Sequence, residues 1–163
     1  MWRRWLGGAR PFLLLLILMA LWLKLDPNLV EPPGFLLTDG TTVTARFTRC
    51  GPGRGAACVI DGDTFKLGDR KIRIIGIDAP EVHGACPRET ELAGQATAGL
   101  QVLLNQSPFE MAGRIDEPRD RYGRELMVLS RPGSDGSSQS IAKEMIENGL
   151  ARRYLGGFKA SWC

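Results

Sequence analysis

Histidine is almost missing from this chain. His83 is the only one in 163 residues, and no two of the four cysteines form a C-x-x-C pair. Both shortages argue against a zinc centre built from imidazole and thiolate. No repeat and no long low-complexity tract occurs, so a solenoid or array is not the architecture. No acid precedes Asp26, and apart from Arg3, Arg4, Arg10 and Lys24 the chain holds 17 basic against 18 acidic residues. A protein that grips nucleic acid by counterion release alone carries a basic excess. Any phosphate chemistry here therefore rests on a few placed residues.

What the chain does have is apolar mass, 44% hydrophobic against 24% charged residues, enough for one small globular domain. Part of that mass is a single block, "FLLLLILMALWL", Phe12 to Leu23, behind the basic residues at the N-terminus. Such a block meets a membrane or the export machinery. It is short for a spanning helix, although Leu6 to Leu25 lengthens it if Arg10 and Lys24 snorkel. No small-x-small cleavage site follows in "KLDPNLVEPPG", which favours an uncleaved signal-anchor over 1–25 above a removed signal peptide. Either reading puts the rest of the chain outside the cytoplasm, periplasmic or extracytoplasmic, by the positive-inside bias. Residues 26–40 read as a Pro-containing linker, and 41–163 as the folded domain.

Cys50, Cys58, Cys86 and Cys163 all lie beyond the apolar block and are even in number, as expected of an oxidising compartment. A hairpin around "GPGRGAA" puts Cys50 within reach of Cys58, which leaves Cys86 for Cys163 by elimination.

"TTVTARFT", Thr41 to Thr48, is rich in β-branched residues and reads as a strand; Val59 and Ile60 begin another. Phe65 and Leu67 alternate with polar neighbours up to the turn Gly68-Asp69, and Lys71 to Ile77 runs back as the partner. Apolar spacing of three and four predicts a helix over Glu89 to Asn105. Strands around Phe109 to Arg114 and Leu126 to Ser130 flank the turn "DEPRDRYGR". Ser140 caps a short helix, Ile141 to Asn148, stopped by Gly149, and Leu150 to Tyr154 closes the sheet. About five main strands with two inserted helices suit a small OB-type Greek-key barrel, an α+β arrangement.

The chemistry sits at strand ends. "DGDT" opens one strand at Asp61 to Thr64 and "DAPE" closes the next at Asp78 to Glu81, so the hairpin brings Asp63 and Asp78 face to face. Two close carboxylates repel unless a hard cation lies between them, which points to oxygen ligation of calcium or a similar ion. Pro80 fixes the turn that sends Glu81 back to the same place. Arg73 on the same strand and Arg124 in "DRYGR" add two guanidiniums, a set suited to a phosphate. Each residue also has a plainer role open to it: Arg73 as an ion-pair partner of Asp61 or Asp63, Asp61 as a turn acid, His83 as a loop residue, Tyr154 as core.

In order and spacing, "CVIDGDTFKL", "IRIIGIDAPE", "DRYGREL" and "ENGLARRY" resemble the signatures of the staphylococcal nuclease (thermonuclease) family over roughly Thr41 to Tyr154. The resemblance implies an OB barrel with added helices and calcium-dependent cleavage of DNA and RNA phosphodiesters. It implies Asp63, Asp78 and the Ala79 carbonyl as calcium ligands, where many members have threonine in place of Ala79. It implies Glu81 as the carboxylate that orients and deprotonates water, and Arg73 and Arg124 as the groups that hold phosphate in the transition state. Arg121 and Tyr122 match positions bordering the nucleotide pocket. One feature departs from the pattern: the long helix after the barrel is missing or replaced by "LGGFKASWC", so the fold must draw stability from elsewhere, with a tail pinned by Cys163 and the segment before Thr41 as the candidates. The main alternative function is a non-catalytic nuclease-like module that binds nucleic acid or protein, tethered to the membrane.

Overall fold

Phe47, Phe65 and Phe109 meet at the centre of the domain, with ring centroids 5.4 to 6.5 Å apart. Ile72, Ile74, Ile77, Leu100, Leu104, Leu129, Ile141 and Met145 complete this core. The computed structural model describes residues 5–25, 30–53, 55–106, 108–133 and 137–163, with side chains of 5–10 and 22–25 left out. The Arg3-Arg4 pair, the start of the linker at 26–29, Arg54 in the Gly-rich turn and the loop tip at 134–136 lie outside the described residues.

Helix α1 (Trp5–Leu25) comes first, and the side chains of Phe12 to Leu21 on it are exposed. Among the described residues no helix is long and apolar enough to cross a membrane. The domain follows as β1 (Thr41–Val43), β2 (Thr48–Arg49), β3 (Ala57–Asp61), β4 (Thr64–Leu67), β5 (Arg70–Ile74), β6 (Ile77–Asp78), α2 (Pro87–Gln106), β7 (Phe109–Gly113), β8 (Glu125–Pro132), β9 (Ser138–Ser140), α3 (Ile141–Glu147) and β10 (Arg152–Arg153). The main sheet has the order β1-β7-β8-β5-β4-β3-β2, with β9 added on β8. Two of its ladders are parallel, β5 with β8 and β2 with β3. This mixed, curled sheet with its helices is an OB-type α+β half-barrel, and no long helix follows α3 among the described residues.

Helix α2 spans Pro87–Gln106, slightly longer at both ends than its apolar spacing predicts, and buries Ala93, Ala96, Leu100, Leu103 and Leu104 against the sheet. Ser140 caps α3 as expected, its hydroxyl accepting from the Lys143 amide at 3.1 Å. Three other expectations are modified. The strand expected over Thr41 to Thr48 breaks in two, because Asn105 takes over the backbone of Phe47: its carbonyl accepts from the Phe47 amide and its NH₂ donates to the Phe47 carbonyl, both at 2.8 Å. A side-chain amide replaces the neighbouring strand at that point. The strand expected from Lys71 to Ile77 breaks at Gly76, whose φ of +84° and whose approach to Val30 leave no room for a side chain; a Cβ there would lie 2.0 Å from the Val30 carbonyl oxygen. The residues expected to close the main sheet at Leu150 to Tyr154 instead supply β10, which pairs with β6 in a separate ribbon, Arg152 opposite Asp78.

The segment read as a linker is docked on the domain from Val30 onward. Val30 is buried beside Gly76, Thr38 donates to the Gly113 carbonyl at 2.9 Å, and Ile115 donates to that of Leu36 at 3.0 Å. The stretch before Thr41 thus adds to the core, one of the two compensations expected for the absent helix. Both disulfides are present in the pairing read from the sequence, Cys50–Cys58 and Cys86–Cys163, with Cα separations of 4.9 and 6.1 Å.

Candidate active site

Gly62 explains why the two acidic turns meet. A Cβ at this position would come within 2.6 Å of the methyl groups of both Ala79 and Ala96, so only glycine lets "DGDT" close onto "DAPE" and onto α2. The contact is sealed by the Ala79 amide, which donates to Asp63 Oδ2 at 3.1 Å. Asp61 shapes the first turn by accepting from the Asp63 amide at 3.1 Å. Burial, and after it the neighbouring Asp63 carboxylate, push Asp61 up to about 7.

Arg73 is buried on β5 and forms an ion pair with Asp63, while its other terminal nitrogen donates to the Ile77 carbonyl at 3.1 Å. Burial opposes the charge on Arg73, but Asp63, Asp61 and Asp78 outweigh it and keep the guanidinium charged. The structural role open to Arg73 from sequence is therefore occupied in this arrangement, and a role toward phosphate requires the pair to be shared or exchanged. Thr64, next to Asp63, donates to it at 2.8 Å and accepts from Arg124 Nη1 at 3.4 Å. That contact ties the loop before β8 to the same site. Arg124 is oriented by Asp120 at 2.7 Å. Burial works to raise Asp120, and the hydrogen bonds from the Arg124 side chain and the amides of Arg124 and Tyr122 bring it below the usual carboxylate range.

Glu81 is exposed beyond Pro80. Its amide leans 3.4 Å from Glu89 of α2, and Glu89 also accepts from the Ala85 amide at 2.7 Å, so one buried carboxylate holds the loop that carries Glu81. Arg121 and Tyr122 project from the loop tip, the Arg121 guanidinium 4.8 Å above the Tyr122 ring. Arg73, Glu81, Arg121, Tyr122, Arg124 and Tyr154 all line one cleft of about 1130 Å³. His83 is exposed in the loop after Glu81.

Sequence reasoning missed one contributor, the C-terminal segment. Lys159 Nζ lies 2.5 Å from Asp78 Oδ1 and 3.4 Å from Glu81 Oε1, and the Trp162 indole donates to Asp78 Oδ2 at 3.3 Å. Burial works against the Lys159 charge, and Asp78 more than restores it. Nothing local in "LGGFKASWC" signals this position. Glu89 did carry a signal, as the acid in the first turn of α2.

The candidate ligands Asp63, Asp78 and the Ala79 carbonyl are all oxygen donors, the chemistry a hard cation requires. Asp78 Oδ1 is buried and faces the Lys159 ammonium, so a positive charge already stands where a cation on this oxygen would sit. The residues Asp63, Asp78 and Ala79 fit such an ion in kind. Among the described residues, however, no three acidic, histidine or cysteine side chains are drawn together in a ready-made cage, since the chain's own Arg73 and Lys159 engage Asp63 and Asp78.

A family model described as "Staphylococcal nuclease homologue" matches residues 71–159, more than half of the chain. The match takes in Arg73, Asp78, Ala79, Glu81, Arg121, Tyr122 and Arg124 and begins after Asp63. Endonuclease YhcR of Bacillus subtilis (strain 168) is 30% identical over 108 residues, which make up 60% of this chain and 8% of that protein. Succinoglycan biosynthesis protein ExoI of Rhizobium meliloti (strain 1021) is 32% identical over 104 residues, 60% of this chain and 50% of that protein. The chain thus spans half or less of the length of these curated relatives.

Proposed function

The chain belongs to the staphylococcal nuclease family, and from that premise we propose that it is a calcium-dependent nuclease, hydrolysing phosphodiester bonds of DNA or RNA outside the cytoplasm. The observation that carries the reading is the meeting of two arginines with acids from separate segments: Arg73 pairs with Asp63 and has Asp78 near it, Arg124 reaches Thr64 beside Asp63, and Glu81 lines the same cleft as both arginines.

Asp63, Asp78 and the Ala79 carbonyl would hold the divalent ion, whose charge, once bound, offsets that of the phosphate. Glu81, exposed to water at the cleft's edge, takes the proton from an attacking water. Arg73 and Arg124 offer planar forks to the equatorial phosphate oxygens, where negative charge grows during attack. The Tyr122 ring, 68% exposed beside Arg121, provides a stacking face for a base. The N-terminal apolar block, as signal-anchor or cleaved signal, carries residues 41–163 to the outer face of the membrane, where the two disulfides persist.

One observation favours a second reading, a tethered non-catalytic module: two of the three acids are already neutralised by Arg73 and Lys159. Cleavage of denatured DNA and of RNA with calcium, abolished by chelator, supports the nuclease. Binding of either polymer without cleavage at any calcium concentration supports the module instead.

A further inference from the structure

The chain turns back on itself after β10. Gly156 and Gly157 carry it round with φ of +95° and +89°, and the Tyr154 hydroxyl closes the turn on the Gly157 carbonyl at 3.0 Å. It then crosses Asp78. Arg152 Nη1 donates to the Ser161 carbonyl at 2.9 Å, the Arg152 guanidinium stacks 3.6 Å from the Trp162 ring, and Trp162 is 9% exposed. Cys163 ends the course in its disulfide with Cys86, at the foot of α2. The result is a covalently closed strap from β10 to α2, with Asp78 beneath it.

Both oxygens of Asp78 are engaged by this strap, Oδ1 by the Lys159 ammonium at 2.5 Å and Oδ2 by the Trp162 indole at 3.3 Å. The same ammonium lies 3.4 Å from Glu81. A divalent ion on Asp78 would stand beside the lysine charge, and two cations cannot share one buried carboxylate without strong repulsion. The disulfide keeps the lysine at high effective concentration against its target, because a short tether makes its return intramolecular.

We propose that the strap of residues 155–163 is a built-in competitor for the divalent cation: Lys159 fills the cation's charge role on Asp78, metal binding expels it, and the Cys86–Cys163 bridge latches it in place. Metal affinity is then set by a lysine outside the ligand set and by the redox state of a disulfide. The inference rests on the metal-dependent reading of the site given above.

Calcium titration of the full-length chain by calorimetry tests it without any activity measurement. Lys159→Gln removes the charge of a half-exposed side chain and should tighten calcium binding about tenfold, within the usual range for coupled sites. Lys159→Arg keeps the charge and should stay within a few-fold of the parent. A Cys86→Ser, Cys163→Ser double variant should shift in the same direction as Lys159→Gln; if it fails to fold, the glutamine and arginine variants decide alone. Equal or weaker calcium binding by Lys159→Gln overturns the strap's role and leaves the metal-dependent reading standing. If neither parent nor any variant binds calcium, both fall.

Discussion

The site contains two arginine–aspartate pairs in very different surroundings. Arg73–Asp63 lies within the barrel, with side chains 9% and 4% exposed; Arg124–Asp120 lies on the rim loop, at 21% and 16%. Asp120 gains two amide hydrogen bonds from its own loop, so that pair is a local device that survives on short-range contacts. The inner pair joins β5 to the turn between β3 and β4 and has Asp61 and Asp78 close by, so its arginine balances more than one acid. Equal chemistry therefore carries unequal structural consequence: the inner arginine supports the fold as well as the site, and the outer one can be aimed at substrate with little structural cost.

The sharpest test of that contrast is deletion. Arg73→Ala should destabilise the domain by about 3–5 kcal/mol, the usual cost of stranding a buried charge, whereas Arg124→Ala should cost less than about 1 kcal/mol. Urea unfolding of both variants measures this, and similar losses for the two would erase the distinction.

Chemistry should treat the two arginines alike where stability does not. Arg73→Lys and Arg124→Lys each keep the charge and lose the fork, so each should lower kcat by roughly 10²-fold, about 2.7 kcal/mol of transition-state stabilisation. Steady-state kinetics at saturating calcium checks this. Near-parental rates in both would reduce the arginines to docking charges.

Gly62→Ala probes what holds the inner half together. The added methyl meets Ala79 and Ala96 at 2.6 Å, neither of which is a flexible side-chain end, so a loss of about 1–3 kcal/mol is expected. The Arg124–Asp120 loop should keep its geometry, which amide exchange on residues 119–124 would show.

The smallest effect concerns a carboxylate outside both pairs. Glu31 accepts from the Ser140 hydroxyl and has Lys143 nearby, yet burial raises it above its ordinary value. A folded-state value raised in this way contributes stability below the unfolded value and loses it as pH rises through the folded one. Glu31→Gln should therefore gain on the parent as pH rises above the ordinary glutamate range, by less than about 1 kcal/mol. Thermal melts across that rise would decide it, and a gap that narrows with pH contradicts the sign.

Much of the inner half was legible in advance because short-range rules govern it. Asp-Gly turns, the Gly68-Asp69 hairpin and strand alternation are enough to bring Asp63 and Arg73 to neighbouring positions, Thr64 opposite Arg73 in the ladder. The cap at Ser140 and the periodicity of α2 are local in the same sense. The break at Phe47 was not legible, because its cause is Asn105, 58 residues away.

From residue order alone came the fold class, the family resemblance, the candidate acids and arginines and the Cys50–Cys58 bridge, which depend on spacing that the backbone turns translate directly into proximity, while Cys86–Cys163 followed only by elimination. Tertiary structure decided the rest: that Asp61 is pushed up to about 7 by burial and by Asp63, that Val30 docks beside Gly76, and that Lys159 and Trp162, 78 and more residues from their acidic partners, close over Asp78. Desolvation and charge pairing depend on which distant segments share a low-dielectric space, and loop closure over such separations leaves no periodic or local trace in the chain.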